Sequence, residues 1–70
     1  MRAGEFVRKV KDLARHRGVF FRYDASSGKG SHGRILLGER QTTVKSLHKE
    51  LGEGLLNDMC KQLGIAKRDL

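Results

Sequence analysis

The feature that most constrains the fold of this sequence is its central stretch, residues 19–44, in which strand-like runs alternate with turn residues. The first run, Val19 to Asp24, is rich in β-branched and aromatic side chains, which favour strands. Between the second and third runs, Gly38-Glu39 places glycine first, as type II′ hairpin turns require. The pattern predicts a three-stranded antiparallel meander with strands at about residues 19–24, 31–37 and 40–44.

Two amphipathic helices are predicted to flank this meander. Apolar side chains recur at i, i+3, i+4 and i+7 over residues 3–17 and again over residues 53–63, where they are Leu55, Leu56, Met59, Cys60 and Leu63. Gly18 and Gly64 are suited to end the two helices. Residues 45–51 form a connector anchored by Leu47 and Leu51, and residues 67–70 a short frayed tail. Both helices can cover one face of the sheet while the other face stays wet. We expect one α+β domain over residues 1–70, with two layers in the order α-β-β-β-α.

Alternation along the strands divides their side chains between the two faces of the sheet. In the second strand one face carries Ser31, Gly33, Ile35 and Leu37, and the other carries His32, Arg34 and Leu36. If Ile35 and Leu37 face the helices, His32 and Arg34 face solvent together. In the first strand Phe21 is expected in the core. The face taken by Phe20 stays open, since an aromatic side chain on a strand serves either a core or the stacking of nucleic-acid bases.

Charge is the strongest signal in the composition. Fifteen Lys and Arg residues against eight Asp and Glu residues give a net charge of +7. Such a positive field on 70 residues favours a polyanionic partner, nucleic acid first and an acidic protein second, with solubility alone as the other explanation.

The single cysteine, Cys60, excludes an intrachain disulfide and fits a reducing cytosol. We expect it to be a small core residue and not a reactive thiol. No apolar run approaches the roughly 20 residues of a membrane span, and charges interrupt the N-terminal segment, so neither a membrane segment nor a signal peptide is expected.

The best candidates for catalysis and ligand binding lie in the turn before the second strand, Gly28-Lys29-Gly30-Ser31-His32-Gly33-Arg34. An imidazole near pKa 6.5 can accept or donate a proton, and hydrogen-bond donors on both sides of it can hold a phosphate. We interpret His32 as a catalytic residue and the phosphate-binding set as Lys29, Gly30, Ser31 and Arg34. The alternatives are that His32 is a solvated strand residue, or contacts phosphate without catalysis. The turn does not match a P-loop, which argues against nucleotide hydrolysis. His48 is a weaker candidate for a second acid or base. One Cys, three scattered His residues and no carboxylate cluster predict no metal site, and no cofactor is expected.

The order of these elements resembles the HicA family of bacterial and archaeal toxins. Four stretches carry the resemblance: the first helix ending at Gly18, the Gly30-Ser31-His32 step, residues 49–51 with Gly54-Leu55, and Cys60-Lys61-Gln62-Leu63-Gly64. They span nearly the whole chain. Two positions depart from the family pattern, Gly33, where a second His or a polar residue is common, and Lys45-Ser46, where a proline is common.

The resemblance implies a fold like that of double-stranded-RNA-binding domains and a function as the toxin of a type II toxin–antitoxin system. Such a toxin is a cytoplasmic, metal-independent endoribonuclease that cleaves mRNA, with His32 as its single catalytic histidine and a HicB-type antitoxin as its protein partner. No DNA partner is expected for the toxin alone. Two alternatives stay open: a non-catalytic module that binds structured RNA, and a small adaptor whose basic surface pairs with an acidic protein.

Overall fold

The computed structural model describes residues 1–25 and 33–70, and in them two helices pack on a three-stranded antiparallel sheet. The elements are α1 (Ala3–Arg17), β1 (Phe21–Ala25), β2 (Gly33–Leu37), β3 (Arg40–Val44), α2 (Glu53–Leu63) and a 3₁₀ turn (Lys67–Asp69). The strands lie in the order β1-β2-β3, each paired with its neighbour in the chain. The α+β class and the α-β-β-β-α layout predicted from the sequence are therefore present. In the described ranges, no helix has both the length and the apolar character needed to cross a membrane.

The hydrophobic core lies on one face of the sheet. Ile35 and Leu37 of β2 and Val44 of β3 are buried on this face, together with the hydroxyl-bearing Thr42. Helix α1 packs beneath β1 and helix α2 beneath β3. The helices contribute the buried side chains Ala3, Phe6, Val10, Ala14, Leu56, Met59, Cys60 and Leu63. Both helices thus cover the same face, and the opposite face of the sheet is open.

Both helices end in the same glycine-dependent motif. Gly18 and Gly64 adopt the left-handed conformation, with φ of 64° and 71°, which glycine reaches without steric cost. After α1, the amide of Gly18 donates to the carbonyl of Arg15 and the amide of Val19 donates to that of Ala14, the paired bonds of a Schellman motif. This motif also corrects the predicted start of β1. The amide of Val19 is used to close α1, and the strand begins at Phe21 instead of residue 19.

The turn between β2 and β3 has the predicted form. Leu37 pairs with Arg40, which leaves Gly38-Glu39 as a two-residue loop. Gly38 has φ of 60°, while none of the described non-glycine residues has a positive φ, and this combination is that of a type II′ turn. The turn matches the twist of the flanking strands and fixes their register.

The connector after β3 caps helix α1. None of the described side chains caps this helix, and its first amides are satisfied by backbone carbonyls: Ala3 donates to Lys49 and Gly4 to Leu47, at 2.9 and 2.8 Å. Leu51 is a buried anchor as predicted. The same prediction for Leu47 is wrong: its side chain is 37% exposed, and it is its backbone carbonyl that contacts α1. The terminal ammonium of Met1 hydrogen-bonds the carboxylate of Glu50 and lowers the pKa of that group.

Two further expectations about the second half of the chain are wrong. Leu55 is 42% exposed, at the edge of the apolar stripe of α2 and not in the core. The C-terminal residues are not frayed: they form the 3₁₀ turn, in which the carboxylate of Asp69 accepts from the Ala66 amide at 2.9 Å and pairs with Arg17 at 3.3 Å. Leu70 packs against the core, so the tail closes the end of the domain next to α1.

Candidate nucleic-acid interface

The open side of the sheet carries Arg34, and we call it the outer face. In cross-strand rows it presents Arg22, Leu36 and Gln41, then Asp24, Arg34 and Thr43. All of these side chains are exposed except Leu36, which is half-buried. Their position follows from the alternation of side chains along each strand, because in β2 and β3 they alternate with the buried Ile35, Leu37, Thr42 and Val44.

Arg34 is the predicted site residue that lies within the described part of the chain. It is exposed on the outer face, as the alternation of β2 predicts, and its neighbours across the strands are Asp24 and Thr43. Among residues 1–25 and 33–70, no ion pair joins Arg34 to Asp24. Its guanidinium is therefore accessible to an anion, for which its fork of donors is well suited. The other predicted site residues, Lys29, Gly30, Ser31 and His32, lie outside the described residues, and their roles stay predictions.

Gly33, which directly follows His32 in the chain, lies beneath an aromatic ring. A Cβ atom at this position would lie 2.3 Å from the hydroxyl oxygen of Tyr23, 2.6 Å from Cζ and 2.9 Å from Cε1. Real Cβ atoms do not approach other atoms this closely, so position 33 has to be glycine while the Tyr23 ring stays where it is. Glycine at position 33 thus has a physical reason in this chain. A lone glycine inside a strand pattern signals such a close approach in the sequence, but it does not identify the partner.

A cleft on the helix side of the sheet joins residues that are distant in sequence. It has a volume of about 480 Å³ and is lined by Arg2, Gly4, Glu5, Val7, Arg8, Tyr23, Leu47 and His48. His48 is exposed, and its carbonyl accepts a hydrogen bond from the Arg2 guanidinium at 3.2 Å. The cleft therefore places the weaker acid–base candidate, His48, next to two arginines and the ring that covers Gly33. Tyr23, Arg2 and Arg8 were missed by sequence reasoning, since no local pattern links α1 to residue 48.

The remaining titratable candidates have no sign of a catalytic environment. Cys60 is buried, and burial raises the pKa of its thiol, so it stays protonated and enclosed among core residues. This agrees with its predicted place in the core. His16 is exposed at the C-terminal end of α1 among Arg15 and Arg17, where a cation complements the helix dipole. In the part of the chain that the structure describes, no three His, Cys, Asp or Glu side chains gather where they could hold a metal ion.

Comparison with known proteins adds no assignment to this geometry. No family model matches the sequence, and no curated protein or solved structure matches it either. The resemblance to the HicA family therefore stands on the four stretches quoted above, and the function is argued from the chain's own residues.

Proposed function

We propose that this chain is a metal-independent endoribonuclease of the HicA type, the toxin of a type II toxin–antitoxin system that cleaves mRNA. The observation that carries the proposal is the placement of Arg34, two residues after His32 in the sequence: it is exposed on the open face of β2 and, within residues 1–25 and 33–70, makes no ion pair. The α-β-β-β-α layout and the net charge of +7 support it further. A domain like this offers a polyanion an uncovered sheet face and a cationic side chain beside the proposed catalytic residue.

RNA supplies its own nucleophile, so the protein has to move protons and hold a phosphate. A general base takes the proton of a 2′-hydroxyl, whose oxygen attacks the adjacent phosphorus. The bond from phosphorus to the 5′-oxygen breaks, and a general acid protonates the leaving oxygen. The products are a 2′,3′-cyclic phosphate and a 5′-hydroxyl. His32 fills one of the two proton-transfer roles, each worth roughly 10²- to 10⁴-fold in rate.

The cationic side chains bind the phosphate and stabilise the charge that builds on it. Arg34 presents a bidentate donor fork, and Lys29 a mobile ammonium, to the scissile or a flanking phosphate. Ser31 and the backbone of Gly30 add hydrogen-bond donors. None of these groups requires a metal ion, so the proposed reaction proceeds in the presence of a chelator.

His48 is the candidate for the second proton-transfer role. It lies in the cleft with Arg2 and Arg8 on the helix side of the sheet, whereas Arg34 lies on the outer face, so this role requires the RNA to pass around the edge strand β1. If His48 acts there, His48→Gln lowers the cleavage rate at unchanged RNA affinity. A rate equal to that of the wild-type protein removes His48 from the reaction and leaves a one-histidine site.

The experiment that tests the function is a time course on end-labelled RNA in EDTA. The matched substrate carries 2′-deoxyribose in place of ribose at the observed cut positions. We expect cleavage of the RNA, a 2′,3′-cyclic phosphate on the 5′ product, and no cut at the deoxy positions. Binding without any product contradicts the nuclease and favours the alternative, an RNA-binding module of similar fold.

The salt dependence of binding tests the phosphate role of Arg34. Arg34→Ala is expected to reduce the slope of log affinity against log salt by about 0.7, the value for one phosphate contact on a single strand. Arg68→Ala is the matched control, because Arg68 is an exposed cation in the C-terminal 3₁₀ turn, away from the outer face. Equal slopes for the two variants would remove Arg34 from the site.

The partner and the location belong to the same proposal. A HicB-type antitoxin would inhibit the nuclease by covering its RNA-binding surface, and an mRNA-cleaving toxin acts in the cytoplasm. Co-expression with the protein encoded by the adjacent reading frame should restore growth and yield a complex with no RNA cleavage. Growth arrest that this neighbouring protein does not relieve would contradict the pairing.

A further inference from the structure

We propose that Phe20 is a base-stacking platform, and that the outer face of the sheet binds RNA as a single strand. The inference deepens the proposed function, on which it depends for RNA as the ligand. It assigns a role to an aromatic side chain that the core does not use.

Phe20 is the most exposed of the large apolar side chains in the described part of the chain. Its exposed fraction is 60%, while the next residue, Phe21, is half-buried and packs against the core. Leaving an aromatic of this size in water forgoes about 1.5–3 kcal/mol of burial free energy. The fold does not need Phe20 there, so the side chain is available to a ligand.

Backbone pairing fixes the side on which Phe20 lies. The amide of Gly38 donates to the carbonyl of Phe20 at 2.9 Å, which continues the register of β1 and β2 by one pair. Successive side chains of an extended chain alternate between faces. Phe20 therefore shares the outer face with Arg22 and Asp24, while Phe21 points to the core. Gly38 opposite has no side chain to cover the ring.

The neighbours of Phe20 have the chemistry of a nucleic-acid surface. Arg22 lies two residues along the strand, and the half-buried Leu36 is the partner of Arg22, diagonal to Phe20. Gln41 completes that row with an amide that can hydrogen-bond base edges. An aromatic ring flanked by a guanidinium, an amide and a small apolar surface binds a base and its phosphate together. Asp24, in the next row, is acidic and limits how far the positive charge of the face extends.

This geometry favours an unpaired strand over a duplex. Stacking on a side chain needs a base that is free of its helix, whereas duplex RNA is recognised through its backbone and minor groove. The row of Phe20 and the row of Arg34 are four residues apart along β1, or about 14 Å at about 3.4 Å per residue. An RNA strand that stacks one base on Phe20 can therefore extend along the sheet and place a phosphate near Arg34 and the start of β2.

A tryptophan at position 20 turns this site into its own reporter, because the chain contains no other tryptophan. The probe is a single-stranded 2′-O-methyl oligonucleotide, which lacks the 2′-hydroxyl nucleophile and stays intact. We expect it to quench the emission of Phe20→Trp and to leave Leu55→Trp unchanged. Leu55 is a matched control, since it is apolar and 42% exposed but lies on α2. Phe20→Leu, which keeps the apolar character and loses the ring, should bind about 5- to 150-fold more weakly, the range for one stacked base.

The outcomes separate this inference from the proposed nuclease. Unchanged affinity in Phe20→Leu, or equal quenching in the two tryptophan variants, overturns the inference. Tighter binding of the matched duplex than of the single strand, with an affinity that Phe20→Leu does not change, also overturns it. If the wild-type protein cuts unmodified RNA and Phe20→Leu cuts it equally well, the result supports the nuclease and contradicts the stacking site. If quenching is specific to position 20 but no RNA is cut, the result supports the stacking site and contradicts the nuclease. Equal thermal unfolding of the variants excludes a folding defect.

Discussion

Replacing Gly33 with alanine should destabilise the protein through a single steric conflict with Tyr23. The new Cβ would lie 2.3 Å from the Tyr23 hydroxyl oxygen and 2.9 Å from Cε1, so turning the hydroxyl does not relieve it and the whole ring has to move. Overpacking of this kind costs about 1–3 kcal/mol, and removing glycine from a strand returns about 0.5–1 kcal/mol. The net loss in the free energy of unfolding is therefore about 1–2 kcal/mol, or about 5–15 °C in melting temperature for a chain of this size.

A double-mutant cycle isolates the conflict. Urea unfolding gives the free energy of the wild-type protein, Gly33→Ala, Tyr23→Ala and the double variant. In the Tyr23→Ala background, Gly33→Ala should be neutral or stabilising by about 0.5–1 kcal/mol, because the ring is gone. Gly54→Ala is the control, since no atom lies within 4 Å of its added Cβ and it too should be neutral or stabilising. If Gly33→Ala alone is as stable as the wild-type protein, or equally destabilising in both backgrounds, the reasoning about Tyr23 is refuted.

Three other expectations follow from buried or paired groups. Thr42→Val removes the hydrogen bond from the buried Thr42 hydroxyl to Gln62 and should cost about 0.5–1.5 kcal/mol in urea unfolding, and a cost below the error of the measurement would contradict this. The Ala66 amide holds the pKa of Asp69 below its ordinary value of 3.8, so the stability that this carboxylate contributes is present above that pH and is lost as the pH falls through the folded-state pKa. An NMR titration midpoint for Asp69 at or above 3.8 is the opposing result. The enclosed thiol of Cys60 should react with a disulfide reagent only as fast as the protein unfolds, which rapid labelling in native buffer would disprove.

Local sequence rules were sufficient wherever a single residue sets the backbone. Gly18 and Gly64 marked the ends of both helices because few other residues adopt the left-handed conformation at low cost. Gly38 set the hairpin turn for the same reason, and the turn in turn set the register. Parity then placed Arg34 on the open face, since Ile35 beside it has to be buried. These are short-range effects that the order of residues states directly.

Long-range pairings could not be predicted in this way. The ordered tail depends on Asp69 meeting Arg17, 52 residues earlier. The cleft around His48 needs α1 and the connector to be neighbours, which only the packed fold brings about. The sequence favoured a core role for the strand aromatics over base stacking, and the 60% exposure of Phe20 shows that its ring is not in the core. Lys29 to His32, the residues proposed to carry the chemistry, lie outside the described ranges, so their roles stay predictions from the sequence.

His32 is proposed to transfer a proton during RNA cleavage. The most direct measurement compares the cleavage rates of the wild-type protein and His32→Ala on the same labelled RNA in EDTA, with binding measured in parallel. We expect His32→Ala to cleave about 10²-fold or more slowly at nearly unchanged affinity. Equal cleavage rates for the two proteins would contradict it, whatever else the chain is found to bind.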